Sequence, residues 1–343
     1  MEKQEIYAQI PNVLLPWYRA NRRELPWRQD KDPYHIWVSE IMLQQTRVEA
    51  VKGYYSRFLQ FLPTVEALAN ADDELLHKLW EGLGYYSRVR NLKKAARVIV
   101  EEHGGVFPGE YAAVRALPGI GDYTAGAICS IAFSQPTPAV DGNVLRVLSR
   151  LRADGEPIDL PAVKKRVQGE LAEIYPADCP GEFTQALMEL GATLCGPNWE
   201  PRCGECPCRD FCEGRDRWQK FPVKLPKKAK KQEDRTVFLL RCEDKWAIQK
   251  RPNKGLLAGL WQFPNESGHL TAEQAVRWAE QRGLHPRNVE RSIDHIFTHI
   301  RWDLRGWFLE VDTPAGDFTW LTLNEIDEQA ALPTAFRQFR EEI

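Results

Sequence analysis

Near residue 220 the chain changes its hydrophobic period, and this switch constrains the architecture more than any other feature. Up to that point apolar residues recur at spacings of three and four, broken by Leu62-Pro63, His103-Gly104-Gly105 and Leu117-Pro118-Gly119. Helix starts are explicit: Asp32 precedes Pro33, Ser87 precedes Arg88 to Val100, and Asp141 precedes Gly142 to Leu151, each offering a side-chain oxygen to the first turn. Beyond the switch, Arg235 to Cys242 and Lys245 to Lys250 read as paired strands, Thr271 to Arg282 as a helix, and Ile293 to Val311 as further strands. The expected fold class is therefore multi-domain, with an all-α domain over residues 1–220 followed by an α+β domain over 233–343, and the 343 residues suffice for two cores. Phe221 to Lys231 hold two prolines and five lysines without periodicity, so 221–232 is expected to be an interdomain linker. Its lysines form a solvated tether or, alternatively, touch phosphates or serve nuclear import.

The 46 Lys plus Arg nearly balance 48 Asp plus Glu, but residues 1–232 sum to +2 and the remainder to −4. That asymmetry neither demands nor forbids a nucleic-acid partner. No apolar run approaches the ~18 residues of a membrane helix. The amino terminus lacks a basic stretch leading into an apolar core, and Pro11 and Pro16 interrupt its apolar residues. An intracellular protein with no membrane partner is expected. In that reducing setting eight cysteines are not expected to form disulfides, and five lie between 195 and 212. Cys195-x7-Cys203-x2-Cys206-x5-Cys212 offers four thiolates to a metal, with Cys208 not expected to be a ligand. Structural zinc usually takes two tight pairs and only one Cys-x2-Cys exists here, so an iron–sulfur cluster is at least as good a reading.

Leu117-Pro118-Gly119-Ile120-Gly121-Asp122-Tyr123-Thr124 lies between two helical stretches, the second expected from Tyr123 to Phe133. Gly119 and Gly121 permit a tight hairpin that aims backbone N–H groups outward, a site for a phosphate oxygen or merely a packed αα-hairpin. The helix after Ser87 strings Arg88, Arg90, Lys93, Lys94 and Arg97 along its polar side, where they meet either DNA phosphates or only water. Glu40 has Ile36 and Gln44 as angular neighbours, so its carboxyl is expected to be partly buried. Burial raises a carboxyl pKa, making Glu40 a candidate general acid or, equally, a structural carboxyl satisfied by a neighbouring donor. Asp141, by spacing alone, reads as a helix cap.

Leu25-Pro26-Trp27-Arg28, Trp37 to Thr46, Gly82 to Arg88, the Gly119 hairpin and Ala139-Val140-Asp141-Gly142-Asn143-Val144 together resemble the MutY-type adenine DNA glycosylases over nearly the whole chain. The resemblance implies a helix-hairpin-helix glycosylase domain with a [4Fe-4S] cluster held by Cys195, Cys203, Cys206 and Cys212, followed by a Nudix-like domain. The implied activity is base excision repair: removal of adenine mispaired with 8-oxoguanine or guanine in duplex DNA. Glu40 matches the family's acid, which protonates adenine N7, and Asp141 the carboxylate that stabilises the oxocarbenium sugar. Tyr123 supports that site, Arg28 and Gln185 line the adenine pocket, Asn143 and the hairpin glycines contact DNA, and Gln45, Thr46, Leu83 and Tyr85 lie near the orphaned 8-oxoguanine. Flipping the base out of the stack leaves a hole that such side chains fill.

Three departures accompany the resemblance. The first cysteine gap is one residue longer than the family's six. Phe297-Thr298-His299 resembles the family's Phe-Ser-His loop that senses 8-oxoguanine, with Thr for Ser. Asp122 places a carboxylate beside the proposed phosphate site. In the second domain, the Nudix metal-binding helix pattern falls on Val276, Arg277, Glu280 and Gln281, leaving one carboxylate where a Mg²⁺ site needs more oxygens, so a recognition module is expected. Two rivals stand beside this reading. One is an endonuclease III-type lyase, which uses a lysine where this chain has Tyr123; the other is a non-catalytic iron–sulfur DNA-binding protein. The resemblance further implies a monomer, cytoplasmic and nucleoid-associated if bacterial.

Overall fold

The structure, a computed structural model, describes residues 3–226, 232–297 and 301–343. It divides into two compact units, Met1–Asn70 with Asn91–Lys227, and Ala71–Arg90 with Lys228–Ile343. The boundary near 227 falls in the expected linker, of which residues 227–231 lie outside the described residues. Ala71–Arg90, by contrast, was expected within the first domain and groups with the second.

The first unit is helical, with helices at Lys3–Asn21, Pro33–Leu43, Val48–Phe61, Val65–Asn70, Tyr111–Ala116, Asp122–Ile131, Gly142–Leu151, Pro161–Ala172 and Pro180–Thr193. Pro11 and Pro16 do not interrupt the first of these. Ile6, Ile10, Leu14 and Tyr18, four residues apart, are all buried against Val144, Leu148, Leu187 and Leu190, and this burial offsets the hydrogen bonds the prolines remove. The helix Pro180–Thr193 packs against Lys3–Asn21, Asp122–Ile131 and Gly142–Leu151 and so carries the centre of the core. Asp32 caps its helix as expected, its carboxylate accepting from the Tyr34 N–H at 2.8 Å. The hairpin helix begins at Asp122 and ends at Ile131, starting one residue and ending two residues earlier than the sequence suggested.

In the second unit the strands are β1 (Gln232–Cys242), β2 (Lys245–Lys250), β3 (Trp261–Gln262), β4 (Asn265–Ser267), β5 (Pro286–Phe297), β6 (Arg301–Val311) and β7 (Thr319–Thr322). They are ordered β3-β2-β1-β6-β5, with β4 also pairing β1 and β7 pairing β2. Among the described residues, β1 and β6 are the only strands that pair in parallel. Val237 to Leu240 on β1 are all buried because both faces of the sheet are covered, which is why this strand reads as a continuous apolar run rather than an alternation. Val237 and Leu239 meet Ile326, Phe336 and Phe339 on one side, while Phe238 and Leu240 meet Ala275, Trp278 and Leu284 on the other. The expected helix near Thr271 spans Ala272–Glu280, with Thr271 and Gln274 forming a capping box. Two further helices, Leu323–Gln329 and Thr334–Glu342, were not anticipated from the sequence. No helix among the described residues is long and apolar enough to cross a membrane.

Candidate active site

Glu40 sits on the helix Pro33–Leu43 with its carboxyl buried. It lines a pocket of about 170 Å³, with Arg28, Thr46, Tyr123, Asp141, Asn143 and Gln185 among the other walls, so seven side chains singled out in the sequence meet in one place. The Tyr123 hydroxyl donates to Glu40 Oε2. Burial pushes the Glu40 carboxyl up to about 7, opposed by the Tyr123 hydrogen bond and reinforced by the nearby Asp141 charge. The Tyr123 phenol is itself held well above its ordinary value by burial and by the two carboxylates, so it stays a donor.

Asp141 serves two purposes at once. One oxygen caps the helix Gly142–Leu151 by accepting from the Val144 N–H at 2.7 Å, and the other accepts from Asn143 Nδ2 at 2.7 Å. Burial raises its pKa, while those hydrogen bonds act in the opposite direction. A carboxylate held this way is oriented without being neutralised by a cation in direct contact.

Sequence reasoning missed the group that sets the pocket's charge. Glu189, fully buried on Pro180–Thr193, accepts from Arg23 Nε at 2.6 Å and from an Arg28 terminal nitrogen at 2.8 Å. Burial would raise its carboxyl, but the Arg23 hydrogen bond and the Arg28 charge outweigh burial and hold it below the ordinary value. Arg28 therefore lines the pocket paired with Glu189, and from there its charge lowers the Glu40 carboxyl by less than burial raises it. The signal was present as an acid between Met188 and Leu190 on an apolar face, the same pattern that drew attention to Glu40.

Beside the pocket lies an open groove of about 1350 Å³ reaching Gln45, Gly119, Gly121, Lys164, Lys165 and Lys224. Of the two hairpin glycines only Gly119 is conformationally required: its φ is 79°, and a Cβ there would meet Asn91 Cβ at 2.6 Å. Gly121 has an ordinary negative φ of −97° and open space where a Cβ would stand, contrary to the expectation that both glycines were needed for tightness. It leaves the helix N-terminus bare toward the groove. Asp122 turns to Arg115, which donates to it at 2.6 Å, so its charge is paired away from the hairpin amides.

The basic row after Ser87 is not the free stripe expected. Arg88 donates to the Leu83 and Gly84 carbonyls and Arg90 to the Ala258 carbonyl, while Lys93 is buried. These cations satisfy backbone oxygens that would otherwise be orphaned. Leu83 is buried and Tyr85 is 42% exposed with a φ of 47°; both belong to the second unit, whereas Gln45 and Thr46 belong to the first. Phe297 ends β5, with its backbone in register with Trp302, and Thr298 and His299 lie outside the described residues. Glu280 ends its helix, and the partner of Arg277 is Glu273 at 4.0 Å on the same exposed face.

Cys195, Cys203, Cys206 and Cys212 surround one pocket with Leu190, Leu194 and Trp218, in a segment whose only regular pieces are 3₁₀ turns. Cys208 is buried against the core instead and hydrogen-bonds Cys206. Among the described residues, the only three metal-ligating side chains with ligand atoms all within 4.8 Å of one another are Asp234, His269 and Asp303. The cysteines are therefore spread wider than one tetrahedral zinc allows, since Zn–S bonds of about 2.3 Å place sulfurs roughly 3.8 Å apart. Arg150 donates to Cys195 Sγ at 3.2 Å, and Arg146 bridges the Cys195 carbonyl at 2.8 Å to Asn143 Oδ1 at 2.8 Å. A continuous chain of hydrogen bonds thus joins Cys195, Arg146, Asn143 and Asp141.

Known proteins resemble both parts of the chain. The pattern of HhH-GPD superfamily base excision DNA repair proteins matches residues 38–174, and that of a NUDIX domain matches 236–342. Human adenine DNA glycosylase is 36% identical, the alignment covering 95% of this chain and 72% of the relative. Adenine DNA glycosylase of Buchnera aphidicola subsp. Acyrthosiphon pisum is 32% identical over 86% of this chain and 84% of its own. Among solved structures, a thermostable thymine-DNA glycosylase superposes with a TM-score of 0.56 at 28% identity, covering 63% of this chain and 97% of the other. An endonuclease III–DNA covalent intermediate, at 22% identity and a TM-score of 0.54 over 64% of this chain and 99% of the other, shares the fold. The chain belongs to the adenine DNA glycosylases, within the HhH-GPD superfamily of base excision DNA repair proteins.

Proposed function

We propose that this protein binds duplex DNA containing adenine opposite 8-oxoguanine or guanine and hydrolyses the adenine N-glycosidic bond. The observation that carries the proposal is Glu40: a buried carboxyl raised to about 7, in a small pocket shared with Asp141 and Tyr123. Glu40 Oε2 already accepts from Tyr123, so the acidic proton rides on Oε1 and is available to adenine N7. Protonation lets the N9–C1′ bond break with its electron pair passing to the purine. The positive charge left on the sugar faces Asp141, whose orientation is fixed in advance by Val144 and Asn143, the arrangement that makes electrostatic stabilisation effective. Water then adds at C1′ and gives up a proton that restores Glu40.

Cys195, Cys203, Cys206 and Cys212 would hold a [4Fe-4S] cluster. When bound, it supplies thiolate cross-links to a loop that lacks regular structure of its own. We assign contacts with the opposite base to Gln45 and Thr46 of the first unit and, on the second unit, to Leu83 and Tyr85; the second unit serves recognition rather than pyrophosphate hydrolysis.

The direct test is incubation with a duplex carrying 8-oxoguanine opposite adenine, followed by alkali. Base loss should appear only as alkali-labile cleavage, and borohydride should trap little covalent complex, because a phenol at position 123 forms no Schiff base. Efficient trapping that disappears on replacing a lysine would place the chain with the lyases. Absence of base loss with binding intact would favour the non-catalytic rival.

The charge arrangement also predicts a pH profile. Excision should fall above pH 7 as Glu40 loses its proton and fall again in acid as Asp141 gains one. Glu189→Gln should release Arg28 to stabilise ionised Glu40, moving the basic limb of kcat to lower pH. An unmoved basic limb in a correctly folded variant would show that Arg28 has no electrostatic hold on Glu40.

A further inference from the structure

Within the second unit, the loop Gly82–Tyr85 is gripped on both flanks by residues far away in sequence. On the amino-terminal side, Glu81 is nearly buried and its carboxylate accepts from the Leu332 backbone N–H at 3.0 Å while pairing with Lys78 at 2.7 Å. Glu74 accepts from Trp261 Nε1 at 3.0 Å and pairs with Lys250. On the carboxyl-terminal side, Arg90 donates to the Ala258 carbonyl at 2.8 Å. Between these holds, Arg88 and the Trp80 indole both donate to the Gly84 carbonyl, at 3.1 Å each, and three positive φ values, at Gly82, Gly84 and Tyr85, are broken only by Leu83. A loop of that shape is strained for Tyr85 and persists only where its ends are fixed.

We propose that Glu81, with Arg90 and secondarily Glu74, acts as a positioning residue for opposite-base discrimination, because it anchors the Leu83–Tyr85 loop to the strands and turns of residues 250–332. The inference rests on the reading above that Tyr85 sits near the orphaned base. Magnitudes rank the anchors. The Lys250–Glu74 pair is 45% and 35% exposed, and such pairs contribute little. Glu81 is a charged acceptor for a buried backbone N–H, the stronger class of hydrogen bond and the more costly one to leave unmade. The second unit thereby influences recognition through residues 74–90, independently of whatever Phe297, Thr298 and His299 contribute.

The test is a double-mutant cycle in the full-length protein. Single-turnover excision of adenine opposite 8-oxoguanine and opposite guanine is measured for wild type, Glu81→Ala, Tyr85→Ala and the pair. Glu81→Ala should lower the preference for 8-oxoguanine roughly 5- to 20-fold, and the double variant should be no worse than Tyr85→Ala alone. Glu81→Gln, which keeps an acceptor for the Leu332 N–H, should restore most of the preference and covers the case in which the alanine variant folds poorly. Arg90→Gln tests the other flank with both carboxylates left in place and should lower the preference in the same direction. An unchanged preference in Glu81→Ala and Arg90→Gln, or losses that simply add to that of Tyr85→Ala, would overturn the proposal. An unchanged preference in Tyr85→Ala itself would instead overturn the reading of Tyr85 on which the proposal stands.

Discussion

Glu40→Gln should abolish adenine release and, above pH 7, make the protein more stable. Loss of a general acid costs about 10²- to 10⁴-fold in rate, because the amide keeps the shape of the carboxyl and its acceptor for Tyr123 but has no acidic proton. The stability effect follows from the direction in which burial moves the carboxyl. A group raised from 4.5 to about 7 binds its proton more tightly in the folded state than in the unfolded chain, so its contribution to stability declines as pH rises between those values. At pH 8 the buried carboxylate opposes folding by roughly 3 kcal/mol, since each tenfold gain in proton affinity on folding is worth about 1.4 kcal/mol. Glutamine carries no such charge. Thermal melts should therefore nearly coincide at pH 4, where both side chains are neutral, and separate at pH 8 with the variant melting higher. Equal separation at both pH values would mean that Glu40 titrates normally and is not held as an acid. Asp141 bears on the same balance, since its ionisation raises Glu40 further. Burial raises both carboxyls, and at Asp141 the hydrogen bonds from Val144 and Asn143 oppose that rise.

Local signals in the sequence proved readable and distant ones did not. Asp32 and Asp141 are legible as caps because capping involves residues only two or three positions apart. Glu40 is visible as a lone acid among apolar neighbours, but its partner Tyr123 is 83 positions away and no periodicity joins them. For that pairing the family resemblance was the only guide. Glu189 and the i, i+4 pair Arg146 and Arg150 are equally visible as charges in apolar helices, yet salt-bridge and carbonyl partners 45 to 166 positions away give them their meaning. The same limit explains Ala71–Arg90. Its helical pattern is local and correct, but its grouping with the second unit depends on Glu74, Glu81 and Arg90 meeting backbone and side-chain atoms beyond residue 249. The first helix shows the converse, two prolines outweighed by a buried stripe that only the tertiary structure supplies.

Removing one cluster ligand should have an effect as large as removing the acid, and by a different route. Cys206→Ala is expected to yield protein that lacks iron and visible absorption and binds the mispaired duplex on the order of 100-fold more weakly. The segment from Cys195 to Lys220 contains only 3₁₀ turns, so its order depends on Leu190, Leu194 and Phe211 behind it, on the bonds from Arg146 and Arg150, and, in the proposed cluster, would depend on thiolate ligation in front. Metal binding in such a loop is coupled to its folding, and losing the group releases the loop. This loop and its continuation supply Pro197, Asn198, Trp218, Phe221 and Lys224 to the wall of the groove beside the hairpin, which is why duplex affinity should fall along with iron content. The change should also reach the reaction itself. Once Cys195 moves, Arg146 loses one of its two carbonyl anchors and keeps only Gly191, which loosens the hold on Asn143 that orients Asp141. Residual excision by Cys206→Ala at saturating protein should therefore remain below wild type rather than recover. Cys179→Ala, outside the loop, should keep full iron and full affinity. Stoichiometric zinc in wild type purified without oxygen, with no visible absorption, would refute the iron–sulfur assignment. Wild-type affinity in iron-free Cys206→Ala would show that the groove wall stands without the metal centre.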